Sequence, residues 1–143
     1  MHTFLDPLKR ALQIGPREVA LVDGNVEITY KDLWRRCGLL VGALVNLGAG
    51  KGDRIAILAN NSHRYVETYI AVPAGGMVVV PLNTRHAMPE LVYALRDSGA
   101  RILLTDRSEV GELADAVDHV ITLPGDYEDM LANASEAELG GDA

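Results

Sequence analysis

Apolar residues along this chain switch between two spacings. From Thr3 to Ile14, Phe4, Leu5, Leu8, Ala11 and Leu12 recur at helical spacing until Gly15-Pro16 stops them, which predicts a short amphipathic helix. Val19-Ala20-Leu21-Val22 and Val26-Glu27-Ile28-Thr29 flank Asp23-Gly24-Asn25, a turn chemistry that tolerates positive φ, and together predict a small β-hairpin. Thr29 with Asp32 resembles a capping box. Behind it Leu33, Trp34, Cys37, Leu40, Val41 and Leu44 hold one face of a helix that ends near Gly48.

After Gly52 the pattern changes. Arg54-Ile55-Ala56-Ile57-Leu58, Met77-Val78-Val79-Val80, Arg101-Ile102-Leu103-Leu104 and His119-Val120-Ile121-Thr122-Leu123 are short apolar runs without alternation, as in strands covered on both faces. Helical stretches are expected between them, over Ser62 to Ala74, Pro89 to Ser98 and Ser108 to Val117. Pro73 should kink or end the first of these early. Alternating β and α implies an α/β fold, with a mostly parallel sheet, flanking helices and the small amino-terminal hairpin. Beyond Gly125 the chain turns acidic, so residues 126–143 read as a surface helix running into a flexible end.

Composition and charge narrow the classes. An apolar fraction of 48% with 23% charged residues is that of a folding chain. The net charge of −7, with no basic face carrying interleaved aromatics, argues against a nucleic-acid partner. The longest apolar stretch, Gly38 to Gly48, contains Asn46 and is far short of the roughly twenty residues of a membrane span. Gly38 and Gly42 form a G-x-x-x-G, read here as two positions where a soluble helix packs closely on a sheet or another helix. The lone Cys37 lies in the apolar stripe and reads as a buried small hydrophobe. Asp6, Lys9 and Arg10 interrupt the amino-terminal segment where a signal peptide needs an apolar run, and the expectation is a reducing, cytoplasmic setting.

Candidate chemistry is sparse. Gly48-Ala49-Gly50-Lys51-Gly52-Asp53 has the glycines and lysine of an anion cradle. It follows a helix and precedes a strand, the reverse of a phosphate loop, and no Ser or Thr follows Lys51, so it reads as a turn feeding a strand. His2, His63, His86 and His119 sit on four separate elements without metal-pair spacing. Ser62 and Ser108 each begin a predicted helix and read as N-caps. Asn60 and Asn61 follow the first long strand at its carboxyl end, where doubly wound sheets bind ligands, although asparagine also suits a plain turn.

The stretch VVVPLNTRHAMPELVYALRDSGARILLTD, Val78 to Asp106, resembles the amino-terminal region of the adenylate-forming enzymes. That superfamily includes acyl- and aryl-CoA synthetases, luciferases and peptide-synthetase adenylation domains. Ile28-Thr29-Tyr30-Lys31-Asp32-Leu33, the loop Gly50 to Ala56, the helix Val66 to Ala71 and Gly75 to Pro81 match further family segments in order, so that residues 1–125 correspond to part of the large AMP-binding domain. Pro81-Leu82-Asn83-Thr84-Arg85 is similar to the acyl- and aryl-CoA ligase form.

The resemblance implies an ATP-dependent carboxylic acid:CoA ligase acting through an acyl-adenylate, with ATP, Mg²⁺ and coenzyme A used by the whole enzyme. The family's phosphate loop, its Tyr-Gly-x-Thr-Glu segment, its ribose-binding Asp and its carboxyl-terminal lysine have no counterpart among these residues. The expected catalytic, cofactor-binding and metal-binding lists are therefore empty, and the segment alone is expected to be inactive. Asn83 and Arg85 match the family but are expected to fix the turn after the strand. An isolated piece of this kind is expected to self-associate through uncovered apolar surface. Two other readings stand beside the ligase: a free-standing interaction or regulatory module without catalysis, and a small nucleotide-binding domain, which the lack of a glycine-rich strand-to-helix loop disfavours.

Overall fold

The computed structural model describes residues 5–139. Helix α1 (Leu5–Ile14) leads into strands β1 (Val19–Asp23) and β2 (Val26–Thr29), which pair antiparallel as the hairpin. Helix α2 (Tyr30–Asn46) starts directly on the hairpin, with the Thr29 hydroxyl accepting from the Asp32 backbone N–H at 3.2 Å. There follow β3 (Arg54–Leu58), α3 (His63–Ala74), β4 (Val78–Pro81), α4 (Met88–Ser98) and β5 (Ile102–Thr105). A 3₁₀ turn (Gly111–Ala116), β6 (His119–Thr122) and α5 (Gly125–Ala132) complete the described chain.

The four later strands form one parallel sheet in the order β4-β3-β5-β6. The unbroken apolar runs have the expected cause in the two central strands. In β3, Ile55 and Ile57 face one side while Ala56 and Leu58 face the other, and all four are fully buried. One side packs against α1, α2, α3 and α5; the other packs against α4, through Leu91 and Leu95, and the 3₁₀ turn, through Leu113.

The edge strands are only partly covered. In β4 the N–H groups of Val78 and Leu82 bond back to β3, so Val79 and Pro81 face the open edge. Pro81 has no N–H to offer there, and the edge presents one donor fewer to a passing strand.

Four expectations need correction. Residues 108–117 do not form an α-helix: Gly111 takes φ +52 and only the six-residue 3₁₀ turn follows, with Val110, not Ser108, at its cap position and no side-chain cap bond. The G-x-x-x-G of α2 packs against neither sheet nor helix. Its glycines face residues 135–137, which belong to no helix or strand, and the Ala137 N–H bonds to the Gly38 carbonyl at 3.0 Å. Finally, the acidic stretch is not merely a surface helix. Asp126 and Asp129 face outward, but Tyr127 and Leu131, four residues apart, form an apolar stripe and are buried, as is Leu139. The flexible end expected for the last residues falls, from Gly140 on, outside the described residues. Pro73 lies one residue before the end of α3 and does not shorten it.

A polar node joins α2, α3 and α5 on one side of the sheet. The Glu67 side chain is 0% exposed, and the guanidinium of Arg36 grips both its oxygens, Nε to Oε2 at 2.6 Å and Nη2 to Oε1 at 3.1 Å. Tyr127 donates its hydroxyl to Oε1 at 2.7 Å. Burial, and after it the negative charge of Glu67, push the Tyr127 phenol well above its usual range, so it remains a donor. Arg36 also reaches Glu128 with Nη2 to Oε2 at 2.6 Å, and Arg64 meets the same oxygen at 2.8 Å. Hydrogen bonding from Arg36, with help from Arg64, holds the Glu128 carboxyl down to about 2.

Two outcomes follow for a protein containing this node. Glu67→Ala leaves the buried Tyr127 hydroxyl without its acceptor and Arg36 with Glu128 alone, and should cost about 3 kcal/mol in chemical denaturation; a loss indistinguishable from zero would refute the node. Because the folded-state value of Glu128 is depressed, its contribution is complete above its ordinary 4.5 and fades as pH falls toward about 2. Glu128→Gln should therefore narrow the stability gap from wild type between neutral pH and pH values below that window, as read from denaturation midpoints.

Candidate functional site

In a parallel α/β sheet, ligands bind beyond the carboxyl ends of the strands, where the strand order reverses. Here β3 connects outward to β4 on one side, and the chain then returns to place β5 on the other side of β3. The reversal therefore lies between β3 and β5, and Asn60 and Asp106 follow their carboxyl ends. The sequence reading placed Asn60 and Asn61 there; the structure adds Thr105, Asp106 and Arg107 to the same crevice.

These groups bind one another. The Asn60 backbone N–H donates to Asp106 Oδ2 at 2.9 Å. Thr105, fully buried, donates its hydroxyl to the Leu58 carbonyl at 2.7 Å and accepts the Arg107 N–H at 3.2 Å. Arg107 Nη2 donates to the Thr84 carbonyl at 2.9 Å and so ties the loop after β5 to the loop after β4. Asn83 acts as a turn residue: its Oδ1 accepts the Arg85 backbone N–H at 2.9 Å, an Asx turn. Arg85 contributes that amide, while its side chain is exposed with those of Asn60 and Asn61. The result is a rigid rim of three linked loops rather than a closed pocket. Thr105, Asp106 and Arg107 escaped the sequence reading because a polar triplet after a strand is the ordinary mark of a turn, and their partners are 46 and 23 residues away.

The remaining candidates lie elsewhere. At the opposite, amino edge, the Gly48 to Asp53 loop turns back on itself, with Gly48 at φ +98 and Gly52 at φ +82. Asp53 Oδ2 takes the Gly50 N–H at 2.7 Å, the amide an anion would need, and that bond lowers the Asp53 carboxyl below its usual range. Arg101 closes the turn by donating to the Gly48 carbonyl at 2.8 Å. This is the turn feeding a strand that the sequence indicated.

Ser62 caps α3, accepting from Tyr65 N at 3.3 Å. His63 is buried, and Asp23 of the hairpin takes both its backbone N–H at 3.0 Å and a contact from ring Nδ1 at 2.7 Å. His86 and His119 are exposed on other elements, and His2 lies outside the described residues. Cys37 is fully buried, its thiol pushed up by burial and aimed at the Glu67 carbonyl at 3.8 Å. Among the described residues no three His, Cys, Asp or Glu side chains converge as a metal site. No described helix is long and apolar enough to cross a membrane.

Removing the hydroxyl that joins β3, β5 and the following loop tests the rim. Thr105→Val leaves the Arg107 N–H without its acceptor and should cost about 1–2 kcal/mol in denaturation; an unchanged midpoint would show that the hydroxyl does not brace the rim.

Comparison with known proteins agrees with this architecture. The family model described as AMP-binding enzyme matches residues 8–140. A feruloyl-CoA synthase of Amycolatopsis sp is 42% identical over 98 residues, which cover 68% of this chain and 20% of that protein. A long-chain-fatty-acid–CoA ligase of Thermus thermophilus is 39% identical over 105 residues, covering 71% of this chain and 19% of its own. The chain thus spans about a fifth of the length of these curated relatives. Among solved structures, the N-terminal domain of FACL13 from Mycobacterium tuberculosis superposes with a TM-score of 0.85 at 26% identity, over 100% of this chain and 39% of that one. The o-succinylbenzoate CoA synthetase of Bacillus subtilis, in complex with its acyl-adenylate intermediate, gives a TM-score of 0.79 at 27% identity, over 92% of this chain and 34% of that one. With the family model matching nearly its whole length and both sheets in place, this chain belongs to the AMP-binding enzyme family.

Proposed function

We propose that this chain is the amino-terminal part of an ATP-dependent carboxylic acid:CoA ligase and that it supplies framework, not catalytic groups. The observation that carries the reading is the family match over residues 8–140 to relatives named as acyl- and aryl-CoA ligases. The geometry supports the framework role, since the polar groups at the carboxyl edge are spent on tying three loops together.

In the whole enzyme a carboxylate oxygen attacks the α-phosphorus of ATP. An acyl–phosphate bond forms, the bond to the β-phosphate bridge breaks, and pyrophosphate leaves. The thiol of coenzyme A then attacks the acyl carbon; the thioester forms, AMP departs with the electron pair of the broken C–O bond, and the thiol proton is released. The adenylate lowers the barrier because AMP is a far better leaving group than the oxygen of a free carboxylate. Among the described residues no group is placed to activate water, hold a nucleophile or neutralise phosphate charge, which supports reading the segment alone as inactive. The setting is cytoplasmic, and the isolated segment self-associates along the open edge of β4, where Val78 is 46% exposed.

ATP–pyrophosphate exchange decides the matter. The complete gene product should exchange label in the presence of one class among benzoates, ferulate-type cinnamates and long-chain fatty acids, and the 143-residue chain should exchange none. Failure of the complete protein with every class, or turnover by the short chain, would sink the proposal.

A further inference from the structure

The segment after α5 takes an unusual path. A helix of a parallel β-α-β layer runs against the strands, and α2 delivers its carboxyl end, through the Gly48 to Asp53 turn, to the start of β3. Its amino end therefore lies at the carboxyl edge of the sheet. Residues 135–137 cross α2 at two glycines. A Cβ on Gly42 would run into the carbonyl oxygen of Ser135, and one on Gly38 would lie 2.7 Å from Glu136 Cγ and 2.9 Å from the Ala137 carbonyl oxygen. Ser135 thus lies over Gly42 and Ala137 over Gly38, so the strap runs antiparallel to α2, back toward the carboxyl edge.

Anchors of three different kinds hold it. Tyr127 and Glu128 fix α5 just upstream through Glu67, Arg36 and Arg64. The Ala137 N–H bonds to the Gly38 carbonyl. Leu139 is 4% exposed and belongs to the apolar cluster of α2 and α5. Alanine would suit an α2 interior better than glycine by about 1 kcal/mol at each position, so the helix itself gains nothing from them.

We infer that Gly38 and Gly42 are positioning residues: they form a seat that returns the chain to the carboxyl edge of the sheet and sets where the following part of the enzyme meets the rim of Asn60, Thr84 and Asp106. The functional half of this inference rests on the ligase reading; the seat does not.

The test uses the complete protein, with hydrogen exchange read on 133–139 and on α2, and steady-state kinetics read for acid, ATP and coenzyme A. Gly42→Ala should unseat the strap, raising its exchange about tenfold or more while α2 stays protected. It should also lower kcat/KM by about one to two orders of magnitude, as a small misplacement of remote groups does, with the melting temperature close to wild type. Should Gly42→Ala fail to fold, Ala137→Pro removes the strap's donor without adding an atom to α2 and takes its place. Unchanged exchange in the strap refutes the seat; faster exchange with unchanged kinetic constants refutes the positioning role. A wild-type protein that forms no acyl-adenylate overturns the ligase reading instead, and the exchange comparison then judges the seat by itself.

Discussion

Glu67 has no access to water, and a carboxylate in that position survives only if both oxygens are met. Arg36 and Tyr127 meet them, from α2 and from α5, so two further helices must sit where their donors reach one side chain of α3. Apolar packing on this side of the sheet sets the spacing of the helices but tolerates sliding along their axes. A planar guanidinium fork does not tolerate it. Since the same guanidinium also holds Glu128, the attachment of α5 and the register of α2 against α3 depend on one group.

The second constraint is the sheet itself. β3 and β5 are buried on both faces, so each must send its connecting segments to covered sides, and α3 and α4 lie on opposite faces because the chain reverses direction beside β3. That reversal opens a crevice at the carboxyl edge. Thr105 bridges it to the end of β3, and Arg107 extends the bridge to the loop after β4. The edge where α/β proteins collect ligands is here a braced wall.

Much of this was legible in the sequence because the signals were local. Hydrophobic period, Thr29 and Ser62 as caps and the turn chemistry of Gly24 each act within a few residues of themselves. The serial motifs from Ile28 to Asp106 carried the family in the same way. What escaped depends on distance along the chain. Tyr127 sits in an acidic stretch and looks like a surface residue until it meets Glu67, 60 residues earlier. Gly38 and Gly42 announce a close approach without saying what approaches, and the answer is a strap nearly a hundred residues on. Ser108 to Val117 failed for a local reason: Gly111 adopts a positive φ that ends helical propagation before it starts.

A segment of about a fifth of its relatives' length builds both layers of a sheet. A layered core needs only apolar area on each face, and β3 and β5 with α2, α3 and α4 supply it. A site needs donors that point outward and are not already engaged. At this rim the Asn60 amide, the Thr105 hydroxyl and the Thr84 carbonyl are all consumed internally, leaving the exposed side chains of Asn60, Asn61 and Arg85 at the surface. On the ligase reading proposed above, loops tied together in this way serve as a platform. On that reading, reacting groups brought to the platform by a seated strap would inherit a fixed geometry, which the attack of a carboxylate on a phosphorus requires.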